Sequence, residues 1–187
     1  MAIYTRAELL DMGFHSIGED VRISTRASIY APHLISIGNH VRIDDFCVLS
    51  GQITLGSYIH IAVHSSLFGG REGIVIDDFA NISSRVAIYA LSDDYSGQSM
   101  SNPMIPDKYK QVDHGKVIIG KHCIIGTAST VLPHVTIGEG CAFGAYSLIK
   151  HSCESWGIYA GIPCVKKAER DRNLLVYEQQ LLEEVSS

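Results

Sequence analysis

Ile17-Gly18-Glu19-Asp20-Val21-Arg22, then Ile23-Ser24-Thr25-Arg26-Ala27-Ser28, then Ile29: an aliphatic residue recurs every six positions, with a small or β-branched residue four places after it. The register runs on through Ile37, Ile43, Leu49, Leu55, Ile61 and Leu67. After a three-residue slip it resumes at Ile76, Ile82 and Ile88. After a long gap it returns at Ile119, Ile125, Val131, Ile137, Phe143 and Ile149. Taken in threes, the leading hexads begin Ile17-Gly18, Ile37-Gly38, Leu55-Gly56, Ile76-Asp77, Ile119-Gly120 and Ile137-Gly138, so the glycines gather at one corner of a triangle. Each hexad reads as a short strand plus a turn, and three hexads close one coil. The aliphatic residue points inward and stacks on its equivalents above and below. The residue four places on faces the narrow interior and must be small: Val21, Ala27, Val41, Cys47, Ala80, Val86, Cys123, Ser129, Val135, Cys141, Ser147 and Cys153. Most of the five cysteines are thereby core fillers.

The interruptions fall at a single corner. Ile35-Ser36, Gly73-Ile74-Val75 and a long insertion from Asp94 to Gly115 each follow the third hexad of a coil. An insertion of that length in a compact domain is a functional loop more often than a mere connection. At the ends, Thr5-Arg6-Ala7-Glu8 is a capping box with Gly13 as a stop, and Leu174, Leu175, Leu181, Leu182 and Val185 share one helical stripe. The expected organisation is a helical cap over 1–16, a β-solenoid over 17–167 carrying the loop 94–115, and a C-terminal helix over 168–187.

The 187 residues suffice for one domain. With 15 basic and 20 acidic side chains the net charge is −5 and no basic block exists, which argues against nucleic-acid or anionic-membrane binding. Hydrophobic residues at 46% exclude disorder as the main state, and aromatics at 8% leave the core to aliphatic side chains. No apolar run reaches the roughly 18 residues of a membrane span. Met1-Ala2-Ile3-Tyr4-Thr5-Arg6 has no basic stretch leading into an apolar one, so no signal peptide is expected. Cysteines without a C-x-x-C pair fit reduced thiols in the cytoplasm.

Stacked hexads of this form resemble the hexapeptide-repeat acyltransferases. The stretch from Ile118 to Ile149 is similar to that family's closing coils, and Tyr159-Ala160-Gly161-Ile162-Pro163-Cys164-Val165-Lys166-Lys167 to its exit segment. Ser92-Asp93-Asp94-Tyr95-Ser96-Gly97 with Asn102-Pro103, together with Tyr4-Thr5-Arg6 and Met12-Gly13-Phe14, resembles a narrower branch. That branch holds N-acyltransferases of dTDP-4-amino-4,6-dideoxy sugars and O-acetyltransferases of surface polysaccharides. The resemblance implies a left-handed parallel β-helix, a homotrimer with active sites between subunits, and acetyl-CoA as co-substrate without a metal. Ile118, Ile124, Val117 and Leu132 would supply apolar surface for the trimer.

The implied function is acetylation of the amino group of a dTDP-linked amino sugar for lipopolysaccharide synthesis, with sugar O-acetylation as the alternative. A zinc hydratase on the same fold is remote, because His60 and His64 fall on different corners; a scaffold without catalysis is remote too. An amine needs less help from a base than an alcohol, since the departing thiolate can take the proton. Among nine histidines, His40, His64, His122 and His134 share one turn position and read as solvated. His33 sits at an inward position beside a slip. His60, placed at a corner, is the candidate base or sugar-orienting residue. The catalytic histidine of the galactoside branch, at the start of the long loop, is replaced here by a carboxylate, so Asp94, or Asp93, is the candidate for the sugar ammonium, with an Asx turn as the alternative role. The resemblance assigns Thr127, Ala128, Ala145 and Lys150 to coenzyme A, the first three along the pantetheine arm, and Lys166 and Lys167 to its phosphates. Tyr89, Tyr95 and Phe68 can stack on a base, and His114 can swing into the site.

Overall fold

The computed structural model describes residues 2–186; Met1 and Ser187, the two ends of the expected cap and tail, lie outside the described residues. Seven coils stack along one axis. Ile17, Ile37, Leu55, Ile76, Ile119, Ile137 and Cys153 lie in parallel register up the first face. Ile23, Ile43, Ile61, Ile82, Ile125, Phe143 and Tyr159 climb the second. Ile29, Leu49, Leu67, Ile88, Val131 and Ile149 climb the third. These are the three columns predicted by the six-residue period, and the prism is the left-handed parallel β-helix implied by the resemblance. From Ile37 to Ile149 the inward residues are buried throughout. The column four places on is buried too, and burial pushes the Cys47 thiol up to about 11, as expected of a core filler.

The seventh coil corrects one cysteine. Cys153 pairs with Ile137 and so stands in the aliphatic column, not the small-residue column. It follows Ile149 by four positions instead of six, so the third corner is two residues short there. Gly157 takes the small position instead. Val117 is also corrected: it faces the interior and is fully buried, while Ile118, Ile124 and Leu132 stay half-exposed on outer faces.

Both ends of the prism are plugged. Helix α1 (Arg6–Asp11) starts at the predicted capping box, with Glu8 N–H on Thr5 and the Glu8 carboxylate back on Thr5 N–H at 2.7 Å. It buries Leu9 under the first coil, with Met12 and Phe14 packed alongside. At the other end Phe143 and Tyr159 stack at 5.2 Å, and the strand Val165–Glu169 folds back antiparallel on Gly157–Ala160.

The corners explain the glycines. A Cβ on Gly18 would sit 2.5 Å from the Gly38 carbonyl oxygen, and one on Gly38 2.5 Å from that of Gly56. Adjacent coils are one strand spacing apart, which leaves no room for a side chain there. The left-handed backbone falls two residues later, and mostly not on glycine: Asp20, His40, Tyr58, Phe79 and His122 all have φ between 49° and 60°. Such a residue costs about 1–2 kcal/mol. Each of the last four donates its N–H to a carbonyl one coil below, Tyr58 to Asn39 and His122 to Asp78 for example. Their rings stack at 4.6, 4.8 and 5.0 Å, which offsets more of the cost.

His122 is therefore not a solvated turn residue. It ends this ring stack and lies buried beneath helix α2 (Leu174–Ser186), whose Glu178 accepts from His122 Nε2 at 2.8 Å and from Lys121. His33 is corrected as well: it lies exposed in the short 3-10 turn Pro32–Leu34 rather than inward. The helix stripe is only partly buried, since Leu181 and Val185 stay exposed. Glu178, 9% exposed, is thus a principal anchor of α2. Burial pushes its pKa up, but the hydrogen bonds from Lys121 and His122 outweigh that and hold it below the ordinary value. A lowered carboxyl pKa stabilises docking above the unfolded value and loses that contribution as pH falls through the folded one. Glu178→Ala should speed amide exchange across 174–186 by roughly tenfold. Acidifying the wild type below about pH 4 should do the same. Unchanged exchange in the variant would show that α2 is held by other contacts.

Candidate active site

The long insertion leaves the third corner of the fourth coil. Leu91–Ser92 pairs antiparallel with Asp113–His114 and closes its neck, so the free loop is 93–112, starting one residue before and ending three before the expected 94–115. Asp94 organises it. One carboxylate oxygen accepts from Ser96 N–H at 2.7 Å, and the other from Ser99 N–H at 2.9 Å and Ser99 Oγ at 2.8 Å. Those bonds, Ser96 foremost, hold its pKa at about 2. A carboxylate that weakly basic is poorly matched to proton abstraction near neutrality. Here Asp94 is a loop organiser with a fixed negative charge.

Below the loop, Phe68 and Tyr89 project outward from the third face and stack at 5.2 Å. Together with Asp93, Tyr95, Thr130 and Leu132 they line an open cavity of about 610 Å³. A second hollow of about 480 Å³ adjoins it, lined by Asp93, Asp94, Tyr95, Gln111 and Asp113 among others. Asp93 and Tyr95 line both; Tyr95 is 92% exposed, a side chain free for a ligand. His114 stays in the neck, opposite Leu91, with a buried Nδ1 that has no hydrogen-bond partner.

The second corner forms a separate edge. Thr127 and Ala145 occupy equivalent places in coils five and six, two residues after Ile125 and Phe143, and Tyr146 N–H donates to the Thr127 carbonyl at 2.9 Å. Ala128 has φ of 58° and donates its N–H to the Ser84 carbonyl at 3.0 Å. Thr127, Ala128 and Ala145 are small, while Arg85 and Tyr146 project from the same corner into solvent. Lys150 is exposed one coil above Leu132, and Lys166 and Lys167 are exposed on the final strand, Lys166 bonded to Glu169 at 2.6 Å.

His60 is not at a corner. Tyr58, with its positive φ, is the corner residue, and His60 stands on the flat second face between Arg42 and Asn81. Its Nε2 lies 2.9 Å from Asp44 Oδ2, and Asp44, 14% exposed, also accepts from Arg42 Nε at 2.7 Å. Neither cavity includes it. The structure thus brings Asp93, Tyr89 and Tyr95 together, puts Asp94 beside them, and leaves His60 and the second-corner edge apart. It also adds Ser84, whose Oγ lies 2.9 Å from Thr127 Oγ1. Ser84 sits two residues after Ile82, the same place that Thr127 and Ala145 hold. Reading that column as a column would have found it.

Residues 116–151 match the family model of the bacterial transferase hexapeptide (six repeats). The dTDP-4-amino-4,6-dideoxy-D-glucose acyltransferase of Escherichia coli is 50% identical over 181 residues, 95% of this chain and 94% of the relative. The chain belongs to the hexapeptide-repeat acyltransferases. Among solved structures, this acyltransferase is similar to AntD, an N-acyltransferase from Bacillus cereus in complex with dTDP and 3-hydroxybutyryl-CoA. Identity is 51%, each chain is covered in full, and the TM-score is 0.97. An S84C variant of AntD in complex with dTDP-4-amino-4,6-dideoxyglucose and coenzyme A matches at TM-score 0.96 and 51% identity over 98% of both chains.

Proposed function

We propose that this acyltransferase moves an acyl group, acetyl in the simplest case, from coenzyme A to the amino group of a dTDP-linked 4-amino-4,6-dideoxy sugar. One observation carries the reading: the stacked Phe68–Tyr89 platform lies in one cavity with the Asp93 carboxylate, as a pyrimidine nucleotide joined to a cationic sugar requires. The 50% identical relative and AntD, with its dTDP-sugar and acyl-CoA complexes, support it.

In this reading Tyr89 and Phe68 receive the base, Tyr95 covers it, and Asp93 attracts the sugar ammonium. Asp94 keeps the loop in shape, and His114 braces its neck. Thr127, Ala128 and Ala145 flank the pantetheine arm, with Lys150, Lys166 and Lys167 meeting the phosphates. His60, oriented by Asp44, faces the neighbouring subunit. The neutral amine attacks the thioester carbon, the C–N bond forms, the C–S bond breaks, and the coenzyme A sulfur takes the proton that nitrogen sheds.

Assembly is part of the reading. Ser84 stands in the turn before the third face and Tyr89 at the end of that face's strand, at most about 16 Å apart, and the acceptor and the acyl group must meet at about 3–3.5 Å. A homotrimer that sets the loop edge of one copy against the second corner of the next brings the halves together. Among the described residues no helix is long and apolar enough to cross a membrane. Both co-substrates are cytoplasmic metabolites, and on that ground we place the enzyme in the cytoplasm, ahead of surface-polysaccharide assembly.

The test is direct. Purified protein is given acetyl-CoA or 3-hydroxybutyryl-CoA with dTDP-4-amino-4,6-dideoxy-D-glucose, and free thiol is followed. Thiol release dependent on the amino sugar is the expected result. Release only with the 4-hydroxy analogue would make the enzyme an O-acyltransferase, and release with neither would remove both readings.

A further inference from the structure

Thr127 Oγ1 lies 2.7 Å from the Ser84 carbonyl oxygen and 2.9 Å from Ser84 Oγ. A carbonyl oxygen only accepts, so the single Thr127 hydroxyl proton is committed to it. The 2.9 Å contact must then run the other way, with Ser84 Oγ donating to Thr127 Oγ1. Ser84 has no second proton. Its hydroxyl therefore offers a ligand nothing but lone pairs. Its backbone is pinned as well, because Ala128 N–H donates to the same Ser84 carbonyl at 3.0 Å. Two donors from the fifth coil thus converge on one carbonyl of the fourth, and the Ser84 side chain is left half-buried at the second corner.

We propose that Thr127 is a positioning residue for acyl transfer, holding Ser84 Oγ as a hydrogen-bond acceptor for an N–H of the incoming amine. The inference rests on the N-acyltransferase reading given above and deepens it. An amine that directs one N–H at Ser84 has its lone pair turned elsewhere, available to the thioester carbon. During the step the C–N bond forms and the C–S bond breaks, and the proton from nitrogen passes to the coenzyme A sulfur. Ser84 keeps its own proton on Thr127 throughout, so it orients the amine and does not act as a base. A Thr127 side chain turned to the pantetheine arm alone would not need this arrangement of protons.

The experiment is a double-mutant cycle on kcat/KM for the amino sugar at saturating acyl-CoA, using Thr127→Val, Ser84→Ala and the pair, with Thr127→Ser as the conservative variant. Thermal unfolding of each variant is measured alongside. Thr127→Val is expected to lower kcat/KM about tenfold. Thr127→Ser is expected to restore it, and Ser84→Ala with Thr127→Val together should be no worse than Ser84→Ala alone. Full additivity of the two losses would overturn the proposal, because Thr127 would then act independently of Ser84. So would a Thr127→Val effect confined to KM for acyl-CoA, which would assign the hydroxyl to pantetheine. An undiminished Ser84→Ala would overturn it by removing Ser84 from the amine. A wild type inactive on the amino sugar would instead remove the parent reading, and the proposal with it.

Discussion

Replacing Asp94 with asparagine should cut kcat/KM for the amino sugar by about 100-fold while leaving affinity for coenzyme A unchanged. The carboxylate holds the loop with both oxygens: one serves Ser96 N–H, the other Ser99 N–H and Ser99 Oγ. Asparagine keeps the shape but has one acceptor oxygen and an NH₂ group, so on one side a donor meets donors. The Ser99 hydroxyl also accepts from Gln111 N–H at 3.2 Å, so releasing Ser99 loosens both strands of the loop. Asp93 and Tyr95, immediately beside Asp94, would shift with it, and a misplacement of about 1 Å is enough for a loss of this size. The pH dependence separates this role from base catalysis. With the pKa lowered to about 2, the loop contribution is fully present above the ordinary aspartate value and disappears only as pH falls through about 2. The wild-type rate should therefore show no limb from Asp94 near neutrality, and limited proteolysis should cut the variant faster between 93 and 112. An Asp94→Asn enzyme with normal kcat/KM and an equally resistant loop would contradict the assignment.

The largest loss of stability is expected from a single methyl group at Gly69. A Cβ there would strike the Gln52 carbonyl, 2.8 Å from its carbon and 3.0 Å from Gln52 N, all backbone of the coil below. Backbone held in a stacked ladder cannot swing aside as a side chain can. Overpacking of this kind costs about 3 kcal/mol or more. For a chain of this size the melting temperature should fall by about 6–12 °C. Activity should fall too, since Phe68 precedes Gly69 and forms half of the aromatic platform. Circular dichroism melts of Gly69→Ala check the first claim; a Tm within error of the wild type would show that the corner yields more easily than the geometry allows.

Much of this architecture is written in local sequence. The six-residue period is imposed by strand-plus-turn geometry, so the inward columns, the small-residue column through the sixth coil and the position of each insertion can be read directly. The capping box at Thr5 and Glu8 is equally local. What escaped the sequence depends on neighbours distant in the chain. His122 shares its hexad place with the exposed His64 and His134, yet it is buried because α2, some fifty residues on, lays Glu178 against it. Cys153 was misplaced because a two-residue shortening at the third corner leaves an apparent period intact. His60 was misplaced by two positions, since nothing in Tyr58 announces a left-handed backbone; the hydrogen bond to Asn39 and the stacked rings on either side create that preference. Within the site, the aromatic platform was legible from residue type and corner. The division of labour between Asp93 and Asp94 was not, because both are adjacent acids and only the folded loop decides which of them is occupied by serines. Ser84 carries no motif at all.

The third corner absorbs two extra residues before the second coil, three before the fourth, the whole insertion before the fifth, and a deficit of two before the seventh. The other two corners keep strict count. Length variation is thus confined to one edge of the molecule, where it cannot propagate into the register of the core. Loops of different size and chemistry can be accommodated there as cassettes, one for another, while the scaffold beneath and the edge at the second corner keep their register.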